Sequence, residues 1–211
     1  MRLVAVIQAR MGSSRLPGKV LADIGGRSML QRVIERAQAI EKVADVCVAT
    51  TLSSADDPVV DLCEWLRVLT FRGHPFDVLD RYYHAALAFG AKHIVRITAD
   101  CPLLDPDVSS RVVRAYVADG GRYDYVSNVD PPTFPDGHDT EVFSLYILGL
   151  AHRLAKDADE REHVTVFFRR HPEMVRSLNV YNSTDQSKVM LSVNTAADLA
   201  RVRAMAKRRA A

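Results

Sequence analysis

Gly12, Ser13, Ser14 and Gly18, set among Arg10, Arg15 and Lys19, bring flexible backbone and three formal positive charges into one short stretch. That combination suits phosphate. Successive backbone N–H groups from Gly12 to Ser14 can curl into an anion-binding concavity, and the flanking cations add formal charge to it. A Walker loop requires four residues between its glycines and a Ser or Thr after the lysine. Here five residues, Ser13 to Pro17, separate Gly12 from Gly18, and Val20 follows Lys19. The ATPase loop is excluded on both counts, and no GxGxxG dinucleotide fingerprint is present. Any one of these residues alone reads as part of a basic surface loop; the whole set reads as a phosphate site.

Two more charged residues fall at predicted strand ends, where ligands bind in open α/β sheets. Arg72 closes one strand. Asp100 follows another and is the only acidic residue between Lys92 and Leu104, with Pro102 just beyond it. Its carboxylate suits a hard cation beside a phosphate, since Mg²⁺ takes one or two carboxylates together with phosphate oxygens and water. It equally suits the cap of a turn. Asp136, His138 and Glu141 surround a proline-rich loop, residues 130–137, and Arg161, Glu162 and His163 open a predicted helix. His163 reads as well as a structural histidine. No HExxH, HxH or GxSxG arrangement occurs, so hydrolase chemistry lacks support.

The elements that would position these groups alternate. The apolar run Leu3 to Ile7 reads as a buried strand feeding the glycine loop. Ser28 caps a helix with Gln31 at the capping-box position and an apolar stripe from Met29 to Ile40. A strand over 44–50, a helix opened by Asp57-Pro58, a strand over 68–72, a helix over 77–89 closed by Gly90, and a strand over 93–98 follow, and Asp105-Pro106 starts the next helix. This rhythm predicts right-handed βαβ units and a largely parallel, Rossmann-like sheet with helices on both faces. Beyond about residue 120 it becomes irregular. Strands are expected over 123–128, 175–181 and 189–193, and helices over 144–156, 159–170 and 196–208, giving a mixed second half. The closing Lys207-Arg208-Arg209 offsets a helix dipole.

With 211 residues, 48% of them hydrophobic, the chain can bury one substantial core, and no stretch resembles an interdomain linker. One domain over 1–211 is expected, with a regular half to about residue 120 and an irregular half beyond. A net charge of +2 is too mild for bulk nucleic-acid binding. Cys47, Cys63 and Cys101 are too few and too scattered for a disulfide framework or a CxxC pair, which fits a reducing cytoplasm. No run of about 18 apolar residues exists to span a membrane, and the short apolar start leads straight into the loop rather than into a cleavage site.

Residues 7–21, Ile-Gln-Ala-Arg-Met-Gly-Ser-Ser-Arg-Leu-Pro-Gly-Lys-Val-Leu, resemble the opening signature of the cytidylyltransferases that activate acidic sugars, the CMP-KDO synthetase and acylneuraminate cytidylyltransferase group, and most closely its spore-coat polysaccharide (SpsF-like) branch. The resemblance continues in order through Phe71-Arg72-Gly73, Asp77 to Tyr83, Arg96 to Leu104, Phe134-Pro135-Asp136-Gly137, Arg161 to Thr165 and Leu191 to Thr195, so it covers nearly the whole chain. It implies a Rossmann-like nucleotidyltransferase fold and a reaction in which a sugar hydroxyl attacks the α-phosphorus of CTP, giving a CMP-sugar and pyrophosphate. It implies that Ala9, Gly12, Ser13, Ser14 and Arg15 contact the nucleotide, that Arg10 and Lys19 act on the triphosphate, and that Arg72 and Thr98 lie near the base. Asp100 matches the family's metal-binding aspartate, which implies Mg²⁺. Asp136, Glu141, Arg161 and His163 are then the candidates for the acidic sugar, with Arg161 suited to its carboxylate. It implies as well a nucleotide-binding half over residues 1–120 and, over 121–211, an acceptor half from which a homodimer is built.

One departure stands out. The segment ending in Asn194-Thr195 matches a pattern that usually reads Val-Asp-Thr, whose aspartate is a second metal contact. Asn194 keeps an oxygen ligand without the charge, so a weaker metal site is expected, with Asp198 available through a water. Other readings remain: a relative using another nucleotide or a sugar 1-phosphate, or a catalytically weak nucleotide-binding module in a biosynthetic complex.

Overall fold

The computed structural model describes the backbone of residues 2–210 and the side chains of residues 2–207, so the side chains of Arg208 and Arg209 lie outside the described residues. The strands are β1 (Leu3–Gln8), β2 (Val43–Thr51), β3 (Leu69–Gly73), β4 (His93–Thr98), β5 (Tyr125–Ser127), β6 (Glu141–Ser144) and β7 (Ser177–Asn179). The helices are α1 (Met29–Gln38), α2 (Asp57–Trp65), α3 (Val78–Ala88), α4 (Pro106–Ala118), α5 (Leu145–Leu154), α6 (Ala158–His163), α7 (Val166–Arg170) and α8 (Ala196–Ala210). Among the described residues they form a seven-stranded sheet in the order β3-β2-β1-β4-β6-β5-β7. Pairing is parallel except where β6 runs antiparallel to both β4 and β5. The fold is therefore the expected Rossmann-like one, mostly parallel with a mixed second half.

Because side chains alternate along a strand, β1 feeds two cores. Leu3, Ala5 and Ile7 join an apolar cluster with α1, α2, α4 and α8. Val4 and Val6 join a second one with α3, α5 and α7. A helix layer thus covers each face. None of the helices among the described residues is long and apolar enough to cross a membrane. Cys47, Cys63 and Cys101 are free and buried, and burial pushes each thiol above its ordinary range.

Several local expectations are corrected. Ser28 caps α1 by accepting from the Gln31 N–H at 3.1 Å, but the Gln31 side chain donates forward to Glu35 at 3.0 Å instead of closing a capping box. The helix expected over 159–170 breaks at Val164, whose φ of 50° is costly for a β-branched residue. The break lets Val164, Phe167 and Phe168 all enter the core. Residues 189–193 do not form a sheet strand; their β contact is an isolated bridge between Met190 and Asp136. Strand β6 was not expected, because four residues opening with a charged Glu141 show too little alternation to read as a strand.

Residues 134–138 and 189–193 cross at Gly137. Its φ is +100°, and a Cβ there would lie 2.8 Å from the Ser192 nitrogen and 2.9 Å from the Leu191 carbonyl carbon. Only glycine permits so close a crossing. The crossing is pinned on either side by Asp136, whose N–H donates to the Val189 carbonyl at 2.9 Å and whose carbonyl accepts from Leu191 at 2.8 Å.

Candidate active site

A cleft of about 420 Å³ opens beyond the carboxyl ends of β1 and β4. The first loop forms one wall. Its base is fixed where the Met11 N–H donates to the buried carboxylate of Asp56 at 2.6 Å. The Met11 carbonyl in turn accepts from the N–H groups of Ser13 and Gly18, both at 2.9 Å, which folds the loop back on itself. The Ser13 N–H is therefore spent inside the loop, a correction to a cradle of three consecutive amides. Gly12 and Ser14 keep their N–H groups without a protein partner among the described residues. A Cβ at Gly12 would meet nothing within 4 Å, so its missing side chain leaves open room for a ligand to approach the backbone.

Gly18 adopts φ 72° and starts the short 3₁₀ turn Lys19–Leu21, which aims Lys19 into the cleft. Its ammonium donates to the Val193 carbonyl at 2.7 Å, to Asp100 Oδ2 at 3.2 Å and to Asn194 Oδ1 at 3.3 Å. Arg15 donates to the same Asn194 oxygen at 2.8 Å. Residues 15 and 19 thus meet residues 193 and 194 at one cationic centre. Asp100 sits just after β4, where its carbonyl accepts from Val193 at 2.8 Å. Arg10, Ser13, Ser14 and Thr98 also line the cleft, while Ala9 continues β1 by donating to the Ala49 carbonyl at 3.2 Å.

Of the acceptor candidates, Asp136 and His163 lie on the cleft, and Asp136 accepts from the Ser192 hydroxyl at 2.6 Å. Three candidates, Arg72 for the base and Arg161 and Glu141 for the acceptor, do not join them. Arg72 donates to the carbonyls of Thr51 at 2.8 Å and Ser53 at 2.7 Å and pairs with Asp57 at 2.7 Å, pinning the turn before α2. Arg161 donates to Asp77 at 2.8 Å and to the His152 carbonyl at 2.7 Å, tying α6 to α3 and α5. Glu141 is buried against Arg96 and accepts from the Tyr125 hydroxyl at 2.6 Å. Asp198 is also spent elsewhere: it accepts from the Thr195 N–H and hydroxyl, both at 2.8 Å, and pairs with Arg201 at 2.7 Å. Those hydrogen bonds, led by the one from Thr195, hold its carboxyl well below the usual range.

Sequence reasoning missed Gln8, Arg96 and Asp139 on the cleft wall. For Arg96 the available signal was an arginine set between Ile94-Val95 and Ile97 in β4. Asp139 is electrostatically unusual for a carboxyl on the cleft. Burial, reinforced by Asp136 and Glu141 and opposed by Arg96, pushes its carboxyl up to about 7. A carboxyl raised on folding binds its proton more tightly in the folded chain, so its stabilising contribution is full at low pH and is lost as pH rises toward 7. The melting temperature of the ligand-free protein is expected to fall between pH 5 and pH 8. Asp139→Asn should flatten that profile and gain about 3 kcal/mol at pH 8, one pKa unit being about 1.4 kcal/mol with some relief from solvent at the cleft mouth. Thermal melts of both proteins across that range provide the check.

Residues 4–205 match the family model described as cytidylyltransferase. The spore coat polysaccharide biosynthesis protein SpsF of Bacillus subtilis is 33% identical over 179 residues, 82% of this chain and 72% of that protein. The structure of a cytidylyltransferase from Leptospira borgpetersenii superposes with a TM-score of 0.95 at 31% identity, covering 99% of this chain and 87% of that one. The structure of CMP:2-keto-3-deoxy-manno-octonic acid synthetase complexed with CTP shares the fold, with a TM-score of 0.74 at 21% identity over 99% of this chain and 100% of that one. The glycine loop, Lys19, Asp100 and Asn194 all fall inside the matched residues, and the chain belongs to the cytidylyltransferase family of nucleotidyltransferases.

Proposed function

We propose that the chain transfers the cytidylyl group of CTP to a hydroxyl of an acidic sugar, with Mg²⁺ as cofactor, to activate the sugar for surface polysaccharide. The observation that carries this reading is the convergence of Lys19 on Asp100 and Asn194 beneath the free amides of Gly12 and Ser14. Loop and strand ends together make a triphosphate seat. The sugar oxygen would attack the α-phosphorus, the bond from that phosphorus to the bridging oxygen would break in line, and pyrophosphate would leave. Such a transfer needs positioning and charge neutralisation more than covalent help. Arg10, Arg15 and Lys19 would supply the cationic part, with the loop amides holding phosphate oxygens. Asp136 and His163 would face the acceptor.

The donor set fits a hard cation: one carboxylate from Asp100 and one amide oxygen from Asn194, both within 3.3 Å of the same ammonium. A bound Mg²⁺ would supply further charge neutralisation to the phosphates. With a neutral second ligand the ion is held less tightly than by two carboxylates. Asn194→Asp should therefore lower the Mg²⁺ concentration for half-maximal activity severalfold; an unchanged or higher requirement would count against the assignment. This reading includes a nucleotide half over residues 1–120, an acceptor half beyond it through which two copies form a homodimer, and a cytoplasmic location.

A pyrophosphate-release assay pairing CTP, UTP, GTP and ATP with 2-keto sugar acids, neutral sugars and sugar 1-phosphates tests the proposal. Turnover with CTP and a sugar acid is expected. Turnover confined to another nucleotide or to a sugar 1-phosphate would overturn the substrate assignment. A folded chain that binds nucleotide yet turns over none of these pairs would be a binding module instead.

A further inference from the structure

Helices α3 and α5 pack together over the second apolar cluster, and their outer surface gathers three side chains that do not line the cleft. Asp80 and His84 are four residues apart on α3 and so share one face of it. His152 reaches them from the last turn of α5. The Asp80 Oδ1 atom lies 2.9 Å from His152 Nε2 and 3.4 Å from His84 Nε2. All three ligand atoms fall within 4.8 Å of one another.

The arrangement is supported from behind. His152 stacks on Tyr83 with ring centroids 4.4 Å apart and an interplanar angle of 15°. Tyr83 lies so close to α5 that a Cβ at Gly149 would stand 3.2 Å from its Cε2 atom. Glycine inside a helix costs roughly 0.5–1 kcal/mol relative to alanine, and here it makes room for the ring that orients His152. Arg161 holds the His152 carbonyl at 2.7 Å and Asp77 at 2.8 Å, clamping the two helices beside the cluster.

We propose that Asp80, His84 and His152 form a binding site for a divalent transition-metal ion, zinc being the best match, with water as the fourth ligand. Two imidazoles and a carboxylate suit an ion of borderline softness. With metal–ligand bonds of 2.0–2.1 Å, neighbouring donors of a tetrahedral ion stand roughly 3.3 Å apart, and the two oxygen-to-nitrogen separations, 2.9 and 3.4 Å, bracket that spacing. The ion would replace the hydrogen bond between His152 and Asp80 and tie α3 to α5. His84, half exposed, leaves a path for its entry. The site is chemically unlike the cleft: a hard cation such as Mg²⁺ prefers oxygen donors and competes poorly for two imidazoles.

Cobalt substitution on the untagged 211-residue chain, stripped with chelator, tests this. Co²⁺ should bind with about one equivalent giving the intense visible bands of tetrahedral coordination, be displaced by Zn²⁺, and resist a large excess of Mg²⁺. His84→Ala and His152→Gln should each weaken Zn²⁺ binding at least about tenfold, and Asp100→Asn should leave the bands in place. His84 is exposed enough for its alanine variant to fold, which far-UV circular dichroism would verify. Absence of tetrahedral bands, their survival in both histidine variants, or their loss in Asp100→Asn would each overturn the site.

Discussion

Alanine at Lys19 is expected to lower kcat/KM for nucleotidyl transfer by about 10³-fold, the cost of removing one preorganised charge from a developing anion. The fold should survive. The ammonium links the Val193 carbonyl, Asp100 and Asn194, but Asp100 remains 28% exposed, so water can solvate the carboxylate that loses its partner. Lys19→Ala should therefore melt within a few degrees of the parent. Removing the ammonium also takes away Asp100's direct competitor for a cation. Half-maximal activity should then need less Mg²⁺ even as kcat collapses. Lys19→Arg should not rescue, because a planar fork cannot reproduce three bonds to a compact ammonium. Steady-state kinetics against CTP and Mg²⁺ decide the matter: unchanged kcat in Lys19→Ala would remove this residue from the chemistry.

The second large effect concerns stability. Glu141→Ala should destabilise the chain by about 3–5 kcal/mol, because it strands the largely buried Arg96 guanidinium on the cleft wall. Arg96 on β4 and Glu141 on β6 face each other across the antiparallel pair, and Glu141 is 3% exposed. Burial works to raise the Glu141 carboxyl, but the Arg96 guanidinium and hydrogen bonds from Thr165 and Tyr125 outweigh it and hold the carboxyl below its ordinary value. The lowered value gives the sign: this contribution is present above the ordinary carboxylate range and is lost as pH falls through it. At roughly 2–4 °C per kcal/mol for a chain of this size, the melting temperature should drop by about 10 °C. Replacing Arg96 and Glu141 together with apolar residues should cost less than either single change, and a double-mutant cycle read by thermal melts measures the difference.

The first half of the fold was readable because its signals are local. Ser28, Asp57-Pro58, Asp77 and Asp105-Pro106 mark helix starts within a residue or so of those found, and buried parallel strands such as β1 announce themselves as unbroken apolar runs. The second half was less readable because its strands are three or four residues long and owe their existence to partners far away in sequence. Lys19 and Asp100, singled out by residue type and place, both line the cleft and meet there. Arg72, Glu141 and Arg161 do not line the cleft, and one reason is shared: a charged residue beside a cleft and one satisfied by an internal partner look alike until the partner is located. Asp77, Arg96 and the carbonyls of Thr51 and Ser53 are those partners.

The tether at Lys19 also has a bearing on how the molecule is made. Its bonds to Val193 and Asn194 span 174 and 175 positions of the chain, and Arg203 adds a bond to the Asp23 carbonyl across 180. Contacts of such long range form late, after the cost of closing the intervening loop has been met. A chain emerging from the ribosome can assemble β1, β2 and β4 well before residue 193 is available to it. The glycine loop then waits for its far wall until residues 193 and 194 have been made, and a half-made chain carries no finished centre.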